Sequence, residues 1–364
     1  MRIAFYSPIK PPGHPVPSGD RLMARLLIQA LELGGAVVDV VSEFRSFRSE
    51  PPRDGLAALR AEAAVEEQRI AAAWQRDGAP DLFFTYHPYY KAPDLIGPPL
   101  AQRFSIPYLT AEASYSRRRD ASGWQEMQAP MRVSVPQAAV NVSLTERDRD
   151  GLRGNFPEAK TTLLAPFLDA SLYLERASAP RDGRLVTVAM MRPGDKMDSY
   201  RMLAAALATV ETAPWTLSVI GDGPTRSEVE ALFADFGPDR IEWHGQRDAR
   251  DIAALLSRAS LYVWPGCGEA YGLAYLEAQA AGLPVVAQAI AGVPAVVIDD
   301  RTGILTPPGD VDAYGQAIAT LLADRDQRLR LARGARELVS RERSIEGGSR
   351  QLMSIIKAFT GLSA

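Results

Sequence analysis

Short apolar runs alternate with longer amphipathic stretches along almost the whole chain. That switch between a period near two and a period near 3.6 predicts an α/β protein. Arg2 to Tyr6 reads as a strand, followed by a proline- and glycine-rich loop from Pro8 to Gly19. An amphipathic helix from about Asp20 to Leu33 is ended by Gly34-Gly35, and Ala36 to Val41 reads as the next strand. In such a βαβ opening, the first loop lies at the carboxyl end of strand one, where open α/β sheets bind ligands. Arg60 to Arg76 reads as a helix. Asp81 to Tyr86, Ile106 to Thr110, Ala138 to Ser143 and Lys160 to Leu164 read as further strands.

A boundary is expected after Pro166, and Ser178 to Gly183 is turn-rich and polar. A second series then restarts. Strands are expected at Leu185 to Met190, Trp215 to Ile220, Ile241 to His244, Ala259 to Trp264 and Val285 to Ala287. Helices are expected at Ser199 to Val210, Ser227 to Phe236, Ala249 to Arg258, Gly272 to Ala281, Asp310 to Leu322 and Gln327 to Ser340. A last amphipathic stretch covers Ser349 to Phe359. Strands alternating with helices imply parallel sheets. Two such series imply two similar domains facing a cleft, residues 1–166 and 167–346, with a helix in 347–364 packing back on the first.

Composition narrows the function classes. At 364 residues the chain has room for two domains. A net charge of −3 gives no electrostatic footprint for nucleic acid. The single cysteine, Cys267, permits neither an internal disulfide nor a cysteine metal cluster. The three histidines, His14, His87 and His244, are too scattered to mark a zinc site, so no metal is expected. The apolar start is too short for a secretory signal, and no run approaches the ~18 residues of a membrane span. The cytoplasm is the expected location, with peripheral contact at the inner membrane face left open. Lysine is rare beside arginine, which singles out Lys196.

The densest chemistry lies between Pro265 and Pro284, where Glu269 and Glu277 sit eight positions apart. A buried strand, a glycine-rich turn and a small-residue helix follow one another there. That arrangement presents backbone amides to an anion. Two carboxylates beside it suit a ligand carrying both phosphate and hydroxyl groups. Glutamates on an exposed helix face would look the same, so the reading gains weight only from the rest of the chain.

The second half resembles the family 4 retaining glycosyltransferases of GT-B architecture. Residues 186–192 with Lys196, Leu217 to Gly223, Ile241 to Gly245, the Glu269–Glu277 pair, Val285 to Val293 and Thr302 to Asp310 follow the family order. The N-terminal half is a looser match, centred on Ser18-Gly19. The resemblance implies a retaining, metal-independent transfer of hexosyltransferase type, from a UDP- or GDP-sugar to a glycan, lipid-linked or small-molecule acceptor. It needs no cofactor beyond the nucleotide sugar. It further implies that Arg192 and Lys196 neutralise the donor diphosphate. Glu269 would bind hydroxyls of the transferred sugar, and amides around Ala270, Tyr271, Gly272 and Leu273 would hold phosphate. Glu277 would bind the ribose. Gly221, Gly223, His244 and Gly245 would line the nucleotide site, and Ser18-Gly19 would close on the donor from the other domain.

Several positions depart from the family pattern. The interval from Arg192 to Lys196 is short, and Met191 and Met197 stand where glycine is common. Where many relatives carry a histidine after the strand at Ile106 to Thr110, this chain has Glu112. Glu112 and His87 are the acceptor-side candidates. Arg117, Arg118 and Arg119 could meet an anionic acceptor or form a solvated charge run. Gly221-Asp-Gly223 has Arg226 where a dinucleotide fingerprint needs its third glycine. Asp148-Arg-Asp150 and Asp310-Val-Asp312 fall at helix starts, where aspartates cap. Two other functions stay open: a nucleotide-sugar epimerase or hydrolase, and a non-catalytic nucleotide-sugar-binding protein.

Overall fold

The computed structural model describes residues 1–15, 18–52, 55–210 and 214–363. Residues 16 and 17 of the Pro8–Gly19 loop, and the last residue of the 347–364 segment, lie outside the described residues. The chain forms two compact units, one of Met1–Ala165 with Gly348–Ala364 and one of Pro166–Gly347.

The first unit is built on β1 (Arg2–Tyr6), β2 (Val37–Val40), β3 (Leu82–Tyr86), β4 (Tyr108–Ala111), β5 (Val140–Ser143) and β6 (Thr161–Leu163). All pairings are parallel, in the order β2-β1-β3-β4-β5-β6. Its helices are α1 (Gly19–Leu33), α2 (Ala57–Asp77), α3 (Gly97–Phe104), α4 (Gln125–Gln128), α5 (Met131–Gln137) and α6 (Glu146–Asn155). The central strands β3, β4 and β5 are buried along their whole length, as parallel strands covered on both faces must be. Phe5 and Phe84 stack across β1 and β3 with ring centroids 5.6 Å apart. Asp94 is buried but fully answered: Thr85 and Tyr108 hydroxyls donate to it at 2.6 and 2.8 Å, and the Ile96 and Gly97 amides at 2.9 and 2.8 Å. Such satisfied networks hold a core in one arrangement.

The second unit contains β7 (Arg184–Val188), β8 (Thr216–Ile220), β9 (Ile241–Gly245), β10 (Leu261–Val263), β11 (Val285–Gln288) and β12 (Gly303–Thr306). They form a second parallel sheet, β12-β11-β10-β7-β8-β9. Around it run α7 (Ser171–Leu174), α8 (Asp195–Ala208), α9 (Arg226–Leu232), α10 (Ala249–Leu256), α11 (Leu273–Ala280), α12 (Val311–Ala323) and α13 (Arg325–Leu338). The order steps outward in both directions from β7 and β10, which places the topological switch point between those two strands. Loops after β7 and β10 are therefore where a ligand is expected.

Three sequence expectations need correction. The helix expected from Ser199 begins at Asp195, so Lys196 stands in its first turn instead of in a loop. Gly194, at φ 81°, makes the turn that lets it start there. Gly303–Thr306 is a strand and Gly97–Phe104 a helix, although neither is anticipated. The first is hidden by flanking Gly and Pro residues, the second by its opening Gly-Pro-Pro, which is acceptable in a first helical turn.

The last helix, α14 (Ile345–Thr360), carries the chain back into the first unit. Ser349 donates its hydroxyl to the Ala30 carbonyl at 2.6 Å. Met353 lies so close to Gly34 that a Cβ there would stand 2.4 Å from Met353 Cγ. No helix among the described residues is long and apolar enough to cross a membrane.

Candidate functional site

In the second unit the chain leaves β10 through Trp264 and turns sharply. Two of the turn glycines are dictated by space as well as by positive φ. A Cβ on Gly266 (φ 76°) would stand 2.2 Å from the Tyr275 hydroxyl, and one on Gly268 (φ 68°) 2.2 Å from Asp195 Oδ2. Tyr275 donates its hydroxyl to the Trp264 carbonyl at 3.0 Å, and the Cys267 amide donates to Ser199 Oγ at 2.9 Å. The turn is thus fastened to α8 on one side and to α11 on the other. Gly272 caps α11 with no side-chain hydrogen bond to the first-turn amides. Uncapped amides at a helix N-terminus favour an anion.

Three side chains meet beside this turn. Lys196 Nζ and Glu269 Oε1 form an ion pair, and both side chains are only 17% exposed. Trp264 donates its indole N–H to the same Glu269 oxygen at 3.2 Å. The Lys196 ammonium lies 5.5 Å from the centre of the Trp264 ring. A half-buried ion pair is screened less by salt than a surface one, and opening it without replacement partners is costly. Arg192, four residues earlier, is exposed and forms no ion pair with any described residue. Ala270, Tyr271, Gly272 and Leu273 occupy the turn and first helical position after Glu269.

Gly221 and Gly223 follow β8. Their φ values are 149° and 157°, and a Cβ would stand 1.9 Å from the Ala189 carbonyl oxygen and 2.0 Å from that of Met191. The Met191 amide donates to Asp222 O at 2.9 Å, and Gly221 N donates to Gly245 O at 2.9 Å. Gly221, Gly223 and Gly245 therefore draw the loops after β7, β8 and β9 together, the first of which carries Arg192. His244 lies on β9, and its buried Nε2 has no hydrogen-bond partner among the described residues although Glu242 Oε2 is 3.4 Å away. Glu277 sits on α11 and receives the hydroxyl of Tyr173 from α7. Burial raises the Glu277 pKa, and that hydrogen bond opposes the rise.

In the first unit, Ser18 caps α1 by accepting the Arg21 amide at 3.2 Å. Gly19 opens the helix, and a Cβ on it would meet no atom of the described residues within 4 Å. Asp20, in the same turn, lies 3.1 Å from His87 Nδ1. His87 follows β3, Glu112 follows β4, and both adopt left-handed backbone, φ 60° and 59°. Non-glycine residues pay about 1–3 kcal/mol for sparsely populated conformations and concentrate them at functional sites. The His87 amide donates to Ala111 O at 2.7 Å, which places the two residues side by side at the carboxyl rim of the sheet. Glu112 Oε1 accepts the Leu144 amide at 2.7 Å. Burial raises the Glu112 carboxyl to about 7, against a lowering influence from His87. Burial also pulls His87 down, but the hydrogen bond and charge of Asp20 outweigh it and its pKa is raised. The His87 contact in turn lowers Asp20.

Ser18, Gly19, His87 and Glu112 are thus grouped in the first unit. In the second, Lys196 and Glu269 are in contact, Gly221, Gly223 and Arg192 lie in loops drawn against the end of β9 that carries His244 and Gly245, and Glu277 lies on α11. Sequence reasoning missed Asp20, Trp264, Asp195 and Ser199. Asp20 could have been noticed as the acidic residue directly after Ser18-Gly19. The others become visible only through contacts across the fold.

Two parallel-sheet Rossmann-like units with binding loops at the carboxyl ends of the strands define the GT-B class. Residues 182–324 match the family model of glycosyl transferases group 1. The chain is 29% identical over 288 residues to an alpha-D-kanosaminyltransferase of Streptomyces kanamyceticus, covering 75% of this chain and 73% of that one. In fold it is similar to a sucrose-phosphate synthase from Thermosynechococcus elongatus, with a TM-score of 0.72, 22% identity and 99% of each chain covered. It is also similar to Anabaena HepE in complex with UDP, with a TM-score of 0.73, 17% identity, and 98% and 100% of the two chains covered.

Proposed function

We propose that the protein is a retaining glycosyltransferase moving a hexose-type sugar from a UDP- or GDP-sugar to a hydroxyl of a glycan, lipid-linked or small-molecule acceptor. The observation that carries this reading is the Lys196–Glu269 pair, held beside the uncapped N-terminus of α11 in a group 1 glycosyltransferase segment. UDP in the HepE complex is consistent with it.

The chemistry follows from charge. As the bond from anomeric carbon to diphosphate breaks, negative charge grows on the departing nucleoside diphosphate. Arg192, Lys196 and the amides of residues 271–273 are partial or full positive charges that can meet it, the Lys196 ammonium by leaving Glu269. With those groups in place no metal is required for neutralisation. A bound donor exchanges partners with the ion pair: the diphosphate takes Lys196, and sugar hydroxyls donate to Glu269. Glu277 accepts hydrogen bonds from the ribose while Tyr173 holds its carboxylate. His87 and Glu112 orient the acceptor hydroxyl, with Asp20 fixing the His87 ring.

Thermal-shift measurements with UDP, GDP, ADP and their sugars test the donor. The parent should be stabilised by one nucleotide series, and Glu269→Ala should abolish transfer while keeping the fold. Near-normal transfer by Glu269→Ala, or no stabilisation of the parent by any nucleotide, overturns the assignment. Conversion of donor to an epimer without acceptor would replace transfer by epimerisation.

A further inference from the structure

Trp264 is buried, 2% exposed, at the exit of β10. A tryptophan could fill that space for packing alone, but its polar and aromatic contacts are directed. The indole N–H reaches Glu269 Oε1 at 3.2 Å, and the ring lies 5.5 Å from Lys196 Nζ. Tyr200 meets the same ring edge-on, centroids 4.9 Å apart, and ties its hydroxyl to the Ala189 carbonyl at 2.9 Å. Ala189 opens the loop that carries Arg192. One indole therefore touches the carboxylate and the cation of the ion pair, and through Tyr200 is braced against the strand end that presents the second cation.

We propose that Trp264 is a positioning residue for donor chemistry, anchoring the Glu269 carboxylate through its indole N–H while its ring face receives the Lys196 ammonium. The inference rests on the donor-site reading above. Without a donor, Glu269 is neutralised by Lys196. When a diphosphate draws the ammonium away, the carboxylate loses that partner and would turn to follow it or to water. The indole N–H is the donor that stays. It keeps Glu269 aimed at the sugar, and the ring face gives Lys196 an attractive surface in both placements. A hydrogen bond to an ion is worth more than a neutral one, so the anchor matters most once the ion pair has opened.

Phenylalanine at this position keeps a ring face and removes the N–H. Trp264→Phe should lower kcat about 10- to 10²-fold, the range for one hydrogen bond to a charged group, and leave the dissociation constant for the nucleoside diphosphate within about twofold. Donor binding should also perturb tryptophan emission in the parent, and the difference should vanish in Trp264→Phe although four tryptophans remain. Should Trp264→Phe fail to fold, benzothienylalanine incorporated at position 264 keeps the bicyclic shape and lacks the N–H, so the same kcat loss is expected there. Unchanged kcat with either replacement, or equal loss of kcat and nucleotide affinity, overturns the positioning role. Nucleotide binding by the parent in that case leaves the donor-site reading standing. Absence of any nucleotide binding by the parent removes both.

Discussion

Replacing Glu112 by glutamine should make the protein more stable, and only above about pH 5. The carboxyl sits at the carboxyl rim of the first sheet, largely withdrawn from water, with one backbone amide donating to it. Burial raises its pKa from the ordinary 4.5 to about 7. The sign follows from linkage. Between those two values the unfolded chain has released its proton and the folded chain has kept it. Stability therefore falls as pH rises through that window and levels off above pH 7. At ~1.4 kcal/mol per pH unit the loss is about 3 kcal/mol, an order-of-magnitude figure. Glutamine cannot ionise, and its amide oxygen can still accept from Leu144. Urea denaturation of the parent and Glu112→Gln, read on the transition of the first unit, should give similar stabilities at pH 4.5. At pH 8 the variant should lead by about 3 kcal/mol. Asp20 is the main source of the upward pull on His87, but the Glu112 charge adds to it, so the His87 imidazole is followed by NMR in both proteins alongside the melts. A gap between variant and parent that is the same at both pH values would refute the argument that burial governs Glu112.

Asp20→Asn should lower the His87 pKa, seen directly in an NMR titration of the imidazole; an unmoved titration would show that Asp20 does not support the ring's charge. Gly221→Ala should cost at least about 2 kcal/mol in a denaturant melt, because its Cβ would collide with backbone 1.9 Å away. Gly19→Ala, with no described atom within 4 Å, should leave that melt within about 0.5 kcal/mol of the parent. Lys196→Met should reduce kcat about 10²–10³-fold, measured by product formation at saturating donor, and a rate near the parent's would take Lys196 out of the mechanism. Tyr173→Phe should raise the Glu277 pKa further and shift the pH dependence of nucleotide affinity upward; an identical pH profile would show that the hydroxyl does not tune Glu277.

Much of the fold was legible because parallel strands buried on both faces leave an unmistakable record. Leu82–Tyr86 and Val140–Ser143 are apolar or small enough to read as strands with no neighbour in view. The record fades where local chemistry mimics a turn. Gly303–Thr306 is short and ends before two prolines, and only pairing with β11 makes it a strand. The start of α8 was misplaced because Gly-Asp-Lys reads as loop, while Gly194 in fact supplies the left-handed step into the helix. The site divides in the same way. Glu269, Gly272 and Glu277 lie in one continuous stretch, so their grouping as candidates needs only the local sequence. Trp264 could not, since its meaning depends on Lys196, 68 positions away in sequence but in contact with the same carboxylate oxygen. The pairing of Asp20 with His87 likewise crosses from α1 to the end of β3.

The return of α14 into the first unit constrains the order in which the protein can be assembled. Residues 166–347 are continuous, so the second unit can complete its fold while the chain is still being synthesised. The first unit cannot. Its sheet is translated first, yet the seat for Ser349 and Met353 against the end of α1 stays empty until the residues that follow the second unit have emerged. During that interval the end of α1 around Ala30 and Gly34 lacks the contacts that Ser349 and Met353 make. Premature termination inside α14 would leave the second unit whole and the earlier-made first unit unfinished, so the damage from such a stop would fall on the unit translated first.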